Sequence, residues 1–185
     1  MKRVVFLRAV NVGRANRCRP AEIAKELTKF GVKNIGAVGT FVVRKDVSES
    51  VLRAAIVRTL PFKCEIMICP AQAIVDLASS DPFSGQPSGR DIPRFVMVLH
   101  KPLQSSFVLP ISSHVTRHSS LCLPSANKWL LKIIAIQNRF VLGLYRREMK
   151  AIGYLGKIEN QLGVAATTRN WNTIQKVVQV LQEKS

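Results

Sequence analysis

The chain has 185 residues, which suits one domain of ordinary size or two small lobes, and its hydrophobic content of 47% is sufficient for a packed core. Its 28 Lys and Arg outnumber its 11 Asp and Glu and give a formal net charge of +17, beyond the magnitude of about 2–8 that suffices for solubility. No apolar run approaches about 18 residues, and the N-terminal segment has too few apolar residues for a signal peptide. We therefore expect a cytoplasmic protein that does not insert into a membrane.

Two segments carry the positive charge. Residues 1–45 hold 11 basic and 2 acidic side chains, and residues 94–185 hold 13 basic and 3 acidic ones. Residues 46–93, between them, hold 4 basic and 6 acidic side chains. A field of this sign attracts polyanions, so it favours nucleic acid, anionic lipid or a phosphorylated ligand as partner, with generic surface charge as the alternative.

The first 80 residues predict one small lobe. Apolar alternation predicts strands, and apolar side chains at helical spacing predict helices, with Pro20, Ser48 and Pro70 at helix starts and Gly31 at a helix end. The predicted strands lie at 4–10, 34–38, 40–44 and 63–69, and the predicted helices lie near 20–30, 49–60 and 70–77. The first six elements have the order β-α-β-β-α-β, which is that of ferredoxin-like folds.

A second set of elements follows residues 79–93, a stretch rich in Ser, Gly, Pro and Asp that indicates a linker or long loop. A long helix is predicted to begin near Thr168, with an apolar stripe that starts at Trp171. The predicted strands of this part lie at 94–100, 129–136 and 140–146, the last two as a hairpin.

Two segments carry a resemblance to a known family. "FLRAVNVG" (6–13) and "LGVAATTRNWNT" (162–173) are similar to the opening and closing signatures of the bacterial family catalogued as domain of unknown function 1697. The resemblance implies an α+β protein with ferredoxin-like lobes, and it implies no established activity. Ala9 and Arg14 replace glycines of the first signature, and Val38-Gly39-Thr40 replaces a Ser-Gly-Asn turn. If the family's small and polar residues shape a ligand pocket, the pocket is altered or lost in this chain.

The loop after the first strand is the first candidate site. It is rich in Arg and Asn and contains no carboxylate before Glu22, and it leads into the positive end of the first helix. Arginine binds phosphate with two parallel hydrogen bonds, and backbone N–H groups at a helix start also hold anions. The predicted anion-binding residues are Arg8, Asn11, Arg14, Asn16, Arg17 and Arg19. The alternative is a solvated loop in which Asn11 and Gly13 only serve the turn.

The segment "TTRNWNT" is the second candidate. With Thr168 as the N-cap, Arg169 and Asn170 would lie in the first helical turn, where a cation opposes the helix dipole. Arg169 therefore needs an anionic partner, which is either a ligand or an internal carboxylate such as Glu159. Trp171 heads the apolar stripe and is expected in the core, and a structural role and a ligand site remain open for the segment as a whole.

Three further interpretations concern other segments. "GTFVVRK" (39–45), with Phe6 and Arg8 on one face of the first strand, partly matches an exposed RNA-binding sheet, although an aromatic side chain in a strand is usually core. His114 and His118 lack the glutamate of a metalloprotease motif, so we predict no metal site. Cys18 lies between Arg17 and Arg19, which would lower its pKa and make it reactive unless it is incidental.

The sequence thus predicts an α+β protein with a ferredoxin-like lobe at 1–82 and a second α+β lobe at 83–185 that ends in a long C-terminal helix. No phosphate-binding or nucleophile motif is present, so we expect no cofactor. The leading function is binding of nucleic acid or another anion through basic surfaces. The alternative is an enzyme that acts on a phosphorylated or carboxylated small molecule. The sequence specifies no oligomeric state.

Overall fold

The computed structural model describes residues 1–11, 16–103, 121–123 and 129–183, with only the backbone of 121–123. These residues form an α+β fold, as the sequence predicts. The chain divides into two compact units, Met1–Asp81 with Asn172–Ser185, and Pro82–Trp171. The C-terminal helix therefore groups with the first unit, whereas the sequence assigned it to the second lobe.

The first unit begins with the predicted order β-α-β-β-α-β. Ser48 caps the second helix by accepting a hydrogen bond from the N–H of Val51 at 3.3 Å, and Gly31 ends a short 3-10 helix, Thr28–Phe30, in a left-handed conformation. The elements are β1 (Arg3–Leu7), α1 (Pro20–Glu26), β2 (Val32–Asn34), β3 (Thr40–Val43), α2 (Glu49–Thr59), β4 (Ile66–Pro70) and α3 (Ala71–Ser79).

These four strands make one antiparallel sheet in the order β2-β3-β1-β4, so β1 is a central strand. The side chains from Val4 to Leu7 are all fully buried, which accounts for the short apolar run without polar alternation. Val5 and Leu7 belong to a core that also contains Ile23 of α1 and Leu52 of α2. β1 and β4 are neighbours, so the chain that leaves β1 lies beside the chain that enters β4.

The turn before β3 packs closely on β1. Gly39 has a φ of +71°, and a Cβ at this position would lie 2.8 Å from the Cβ of Leu7. The N–H of Leu7 also donates to the carbonyl of Gly39 at 2.8 Å. A glycine is required here by both backbone conformation and space.

The second unit contains a five-stranded antiparallel sheet in the order β6-β7-β8-β5-β9. The helix of this unit packs Ile158 and Leu162 against Phe95, Met97 and other buried side chains of one sheet face. The elements are β5 (Arg94–Leu99), β6 (Leu121–Leu123), β7 (Leu131–Gln137), β8 (Phe140–Tyr145), α4 (Met149–Leu162) and β9 (Ala166–Asn170).

The predicted start of the C-terminal helix near Thr168 is wrong. Thr168 lies in β9, where it is opposite Met97 of β5, and the final helix, α5, spans Trp171–Gln182. The two threonines favour an extended chain, and pairing with β5 outweighs their capping tendency. Among the residues that the structure describes, no helix is long and apolar enough to cross a membrane.

Candidate functional site

The loop between β1 and α1 is held in place by Asn11. Its side-chain NH₂ donates to the carbonyls of Ala37 at 2.7 Å and Cys18 at 3.0 Å, and its side-chain oxygen accepts from the N–H of Cys18 at 3.0 Å. Its backbone N–H donates to the carbonyl of Asn16 at 3.1 Å. Asn11 also has a φ of +56°, which asparagine tolerates better than most residues. Because both amide hydrogens are donated to carbonyls, Asn11 shapes the loop and is not available to donate to an anion.

A cavity of about 320 Å³ opens beside this loop. Its lining comes from two parts of the chain: the exit of β1 with the following loop, and the residues that enter β4. The N–H of Arg8 donates to the carbonyl of Glu65 at 2.9 Å and ties these two parts together. Among the described residues, the lining consists of Arg8, Ala9, Asn16, Lys63, Cys64 and Glu65.

Three cationic side chains in these two parts of the chain are exposed: Lys63 in the cavity lining, and Arg17 and Arg19 in the loop that follows β1. Across residues 1–11, 16–103, 121–123 and 129–183, no carboxylate forms an ion pair with any of the three. Glu22, the first acid in the chain, pairs with Lys25 at 3.2 Å. The positive charges of Arg17, Arg19 and Lys63 are therefore not neutralised by an ion pair within the described residues. Glu65 contributes a carboxylate to the cavity lining.

The start of α1 adds little to this charge. The helix has seven residues, its first residue is Pro20, and the N–H groups of Glu22 and Ile23 both donate to the carbonyl of Arg19. The predicted contribution of free backbone N–H groups is thus small, and binding depends on side chains. Arg14 lies outside the described residues.

The thiols near the cavity are less acidic than the sequence suggested. Burial raises the pKa of Cys18, although Arg17 and Arg19 flank it in the chain. Burial also raises the pKa of Cys64, and the neighbouring Cys18 and Glu65 raise it further against an opposing hydrogen bond from the backbone of Arg8. Both side chains pack against the core of the first unit. The pKa shift therefore has the opposite direction to the one considered for an activated Cys18, and it agrees with the alternative of an incidental cysteine.

The second candidate segment has a different environment from the one predicted. Thr168, Arg169 and Asn170 are the last residues of β9 and do not lie in a helical turn. The side chain of Arg169 is buried, with 5% relative exposure, and donates to the side-chain oxygen of Thr167 at 2.7 Å and the carbonyl of Thr168 at 2.9 Å. Burial lowers the pKa of Arg169 to about 10. Glu159, the predicted internal partner, accepts from the N–H of Ala166 at 3.3 Å.

Two aromatic predictions have clear outcomes. Trp171 is buried as predicted, and its ring meets Phe83 edge-on with 4.9 Å between centroids. Phe6 and Phe41 are also buried, so neither presents an exposed ring on which a base could stack. The interpretation as an exposed RNA-binding sheet is therefore wrong for these residues.

Lys63, Cys64 and Glu65 were not among the predicted site residues. They lie at the start of the predicted strand 63–69 and lead into β4 in the structure, and in a β-α-β-β-α-β lobe this last strand lies next to the first. This adjacency is the signal that places residues 63–65 beside Arg8.

Within the part of the chain that the structure describes, no group of three metal-binding side chains occurs, and His114 and His118 lie outside it.

Comparisons with known proteins give a family and a fold. Residues 1–121 match the model of a family described as "Protein of unknown function (DUF1697)". No curated protein matches the chain significantly. A solved structure, that of the conserved bacterial protein SP0830 from Streptococcus pneumoniae, is similar with a TM-score of 0.54 at 14% sequence identity. The similarity covers 98% of each chain, and at this identity it concerns the fold alone.

Proposed function

Since the chain belongs to the DUF1697 family, whose function is unknown, its activity has to be inferred from its own surface, and we propose that it binds nucleic acid. The proposed contact surface, called the basic loop surface below, consists of Arg8, Arg17, Arg19 and Lys63. The observation that carries the proposal is the exposure of Arg17, Arg19 and Lys63 without an ion-pair partner among the described residues. Lys and Arg that are not neutralised internally are the groups that contact phosphates.

The charge of the whole chain supports the same partner. A net charge of +17 creates a field that draws a polyanion to the surface, and the basic loop surface then makes the phosphate contacts. The contacts are with the backbone, so the proposal is for binding with little sequence preference. We place this activity in the cytoplasm, because Cys18, Cys64 and Cys69 are free thiols, as is usual in a reducing compartment.

The proposal is tested with a triple variant and a matched control. In the test variant Arg17, Arg19 and Lys63 are replaced by Gln. In the control variant Arg90, Arg147 and Lys150 are replaced by Gln, which removes the same two Arg and one Lys from exposed positions of the second unit. Affinity for a fluorescent oligonucleotide is measured over a range of salt concentrations, and melting temperatures confirm that both variants fold.

The test variant should bind more weakly than the control. On duplex DNA its salt slope should also flatten by about 0.9 for each lost phosphate contact, because fewer counterions are released. Equal weakening of both variants would show that the field is diffuse and that the basic loop surface has no special part. Absence of oligonucleotide binding by the natural chain at low salt would end the proposal.

An enzyme acting on a phosphorylated or carboxylated small molecule remains the second candidate, and the cavity at Arg8 and Lys63 favours it. A compact ligand makes few ionic contacts, so its affinity should change only slightly with salt. A shallow salt dependence for small ligands, without oligonucleotide binding, would select this candidate.

A further inference from the structure

Two thiols lie on the two segments of the first unit that meet where β1 ends. Cys18 is tied to Asn11 in both directions: its N–H donates to the side-chain oxygen of Asn11, and its carbonyl accepts from the Asn11 amide, each at 3.0 Å. Cys64 is followed by Glu65, whose carbonyl accepts from the N–H of Arg8 at 2.9 Å. Since Arg8 and Asn11 are close together in the chain, the same short stretch of backbone after β1 positions both cysteines.

The two side chains also share their surroundings. Both thiols are free and half-buried, and both pack against the core of the first unit that contains Leu7 and Ile66. Burial is the largest cause of the raised pKa of Cys64, and Cys18 raises it further, so each thiol lies within range of the other's charge. Cys69 also belongs to the first unit but is fully buried. Cys18 and Cys64 are therefore the two thiols of this unit that are both partly accessible and near each other.

A bond between these two sulfur atoms would join the two halves of the basic loop surface. Arg17 and Arg19 flank Cys18, and Lys63 immediately precedes Cys64. A disulfide would add a covalent link between the two segments and hold their cations in one arrangement. A surface that is ordered before it meets its ligand loses less conformational entropy on binding.

We propose that Cys18 and Cys64 form a reversible disulfide in the presence of hydrogen peroxide, and that this bond strengthens the binding of nucleic acid at the basic loop surface. The second half of the inference rests on the proposed function, whereas the bond itself does not. Disulfides that form in a reducing compartment are usually transient, and many of them sense oxidants. A reducing thiol such as glutathione reverses the bond by exchange.

The bond forms in two balanced steps. The thiolate of one cysteine attacks an oxygen atom of peroxide, the O–O bond breaks, and the products are a sulfenic acid and hydroxide, which takes up the thiol proton and becomes water. The sulfur of the other cysteine then attacks the sulfenic sulfur, so that the S–S bond forms and a second water leaves. The two thiols thus give up two electrons, which reduce one peroxide to two molecules of water. Because burial raises the pKa of both thiols, few are ionised at neutral pH, and the reduced state persists until the oxidant accumulates.

Peptide mapping of the natural chain tests the bond without any substitution. The reduced protein is treated with hydrogen peroxide, its remaining thiols are blocked with N-ethylmaleimide in denaturant, and the peptides are identified by mass spectrometry without reduction. A peptide pair linked through Cys18 and Cys64 should appear and should revert to two free thiols with glutathione, whereas buried Cys69 should carry maleimide. Absence of the linked pair at every peroxide concentration that leaves the protein folded, or links between separate chains only, would overturn the inference.

Melting temperatures give an independent readout. The oxidised natural chain should melt at a higher temperature than the reduced one, because the bond closes a loop of the unfolded chain. Cys18→Ser and Cys64→Ser cannot form the bond, so peroxide should leave their melting temperatures unchanged, and the values before treatment show that both variants fold. A lower melting temperature of the natural chain after the bond has formed would show that the native fold does not accommodate it, and would also overturn the inference.

The effect on binding is measured with a fluorescent oligonucleotide at one salt concentration, with Cys18→Ser given the same peroxide treatment as the control. The oxidised natural chain should bind about two- to tenfold more tightly than the reduced chain, as expected when one long side chain is ordered in advance, and the control should not change. Equal affinity of the two states, with the bond formed, would overturn the second half of the inference and leave the proposed function in place. Formation of the bond without oligonucleotide binding by either state would remove the proposed function, and with it the second half of the inference, while confirming the disulfide.

Discussion

At the scale of single residues, a side chain's partners decide whether it is available for binding. Asn11 and Arg17 are both polar residues of one loop, and the sequence grouped them as anion ligands. The structure separates them, because the Asn11 amide donates to the carbonyls of Cys18 and Ala37, whereas Arg17 is exposed. The partner Ala37 is 26 residues away in the chain, so no local pattern could have shown this contact.

The thiols near the cavity provide a prediction at the same scale. Because burial raises the pKa of Cys18 and Cys64, fewer of these thiols are ionised at neutral pH than in an unfolded chain. The rate of alkylation by iodoacetamide should therefore rise at a higher pH in the folded protein than in the same protein in urea. The rate at each cysteine is measured by mass spectrometry across a pH series.

The competing effect at Cys18 is the charge of its neighbours. Arg17→Gln and Arg19→Gln should leave the pH profile of Cys18 close to that of the natural chain, since burial and not the arginines sets the direction of the pKa shift. A profile of the folded protein that rises at lower pH than in urea would show that the arginines dominate after all.

At the scale of elements, the sequence predicted the first unit better than the second. The first unit has short apolar strands bounded by Gly, Pro and a capping Ser48, and its order β-α-β-β-α-β could be predicted from them. In the second unit α4 gave no clear pattern, because Gly153 and Gly156 lie within it and lower its helix propensity. β9 was missed because its stability comes from pairing with β5, which lies about 70 residues earlier.

Two glycines of the second unit lead to opposite predictions. Gly143 lies in β8, and an added Cβ would collide with the carbonyl oxygen of Lys132 and lie 2.6 Å from Cζ of Phe95. Gly143→Ala should therefore destabilise the fold by about 1–3 kcal/mol, since a strand backbone cannot move aside. Gly156 lies in α4 with no atom near its added Cβ, so Gly156→Ala should stabilise by about 0.5–1 kcal/mol.

Urea denaturation of the two variants beside the natural chain measures both changes. The pair is its own control, because each substitution adds the same methyl group. A loss of stability in Gly156→Ala would indicate that the exposed face of α4 contacts something that the methyl group disturbs. An unchanged Gly143→Ala would mean that β7 and β8 are spaced more widely than the structure shows.

At the scale of the whole molecule, charge could be predicted from the sequence and the grouping of elements could not. The uneven distribution of basic residues along the chain is enough to single out the loop after β1 as a basic segment. The sequence placed the final helix in the second lobe because it follows that lobe in the chain. The structure groups residues from Asn172 onward with the first unit instead. The contacts that produce this grouping, such as Arg44 with Glu183, join residues 139 positions apart.

The last prediction concerns this grouping. α5 buries Ile174, Val177, Val180 and Leu181, and at its end Glu183 pairs with Lys33 at 2.8 Å and with Arg44 at 2.6 Å. Arg44 also donates to the carbonyl of Val180 at 3.2 Å. A chain that ends at Trp171 loses all of these contacts. The loss lowers the free energy of unfolding by about 1.5–3 kcal/mol for each large buried apolar side chain. Amide hydrogen exchange should then show a greater loss of protection in β1 and β3 than in β7 and β8.

Glu183→Gln is the milder companion variant, which keeps the apolar contacts and removes only the charge. It should leave most of the protection of β1 and β3 intact at neutral pH, because exposed ion pairs contribute little. Loss of protection in β7 and β8 to the same degree as in β1 and β3 would show that α5 stabilises both units equally and that the grouping is wrong.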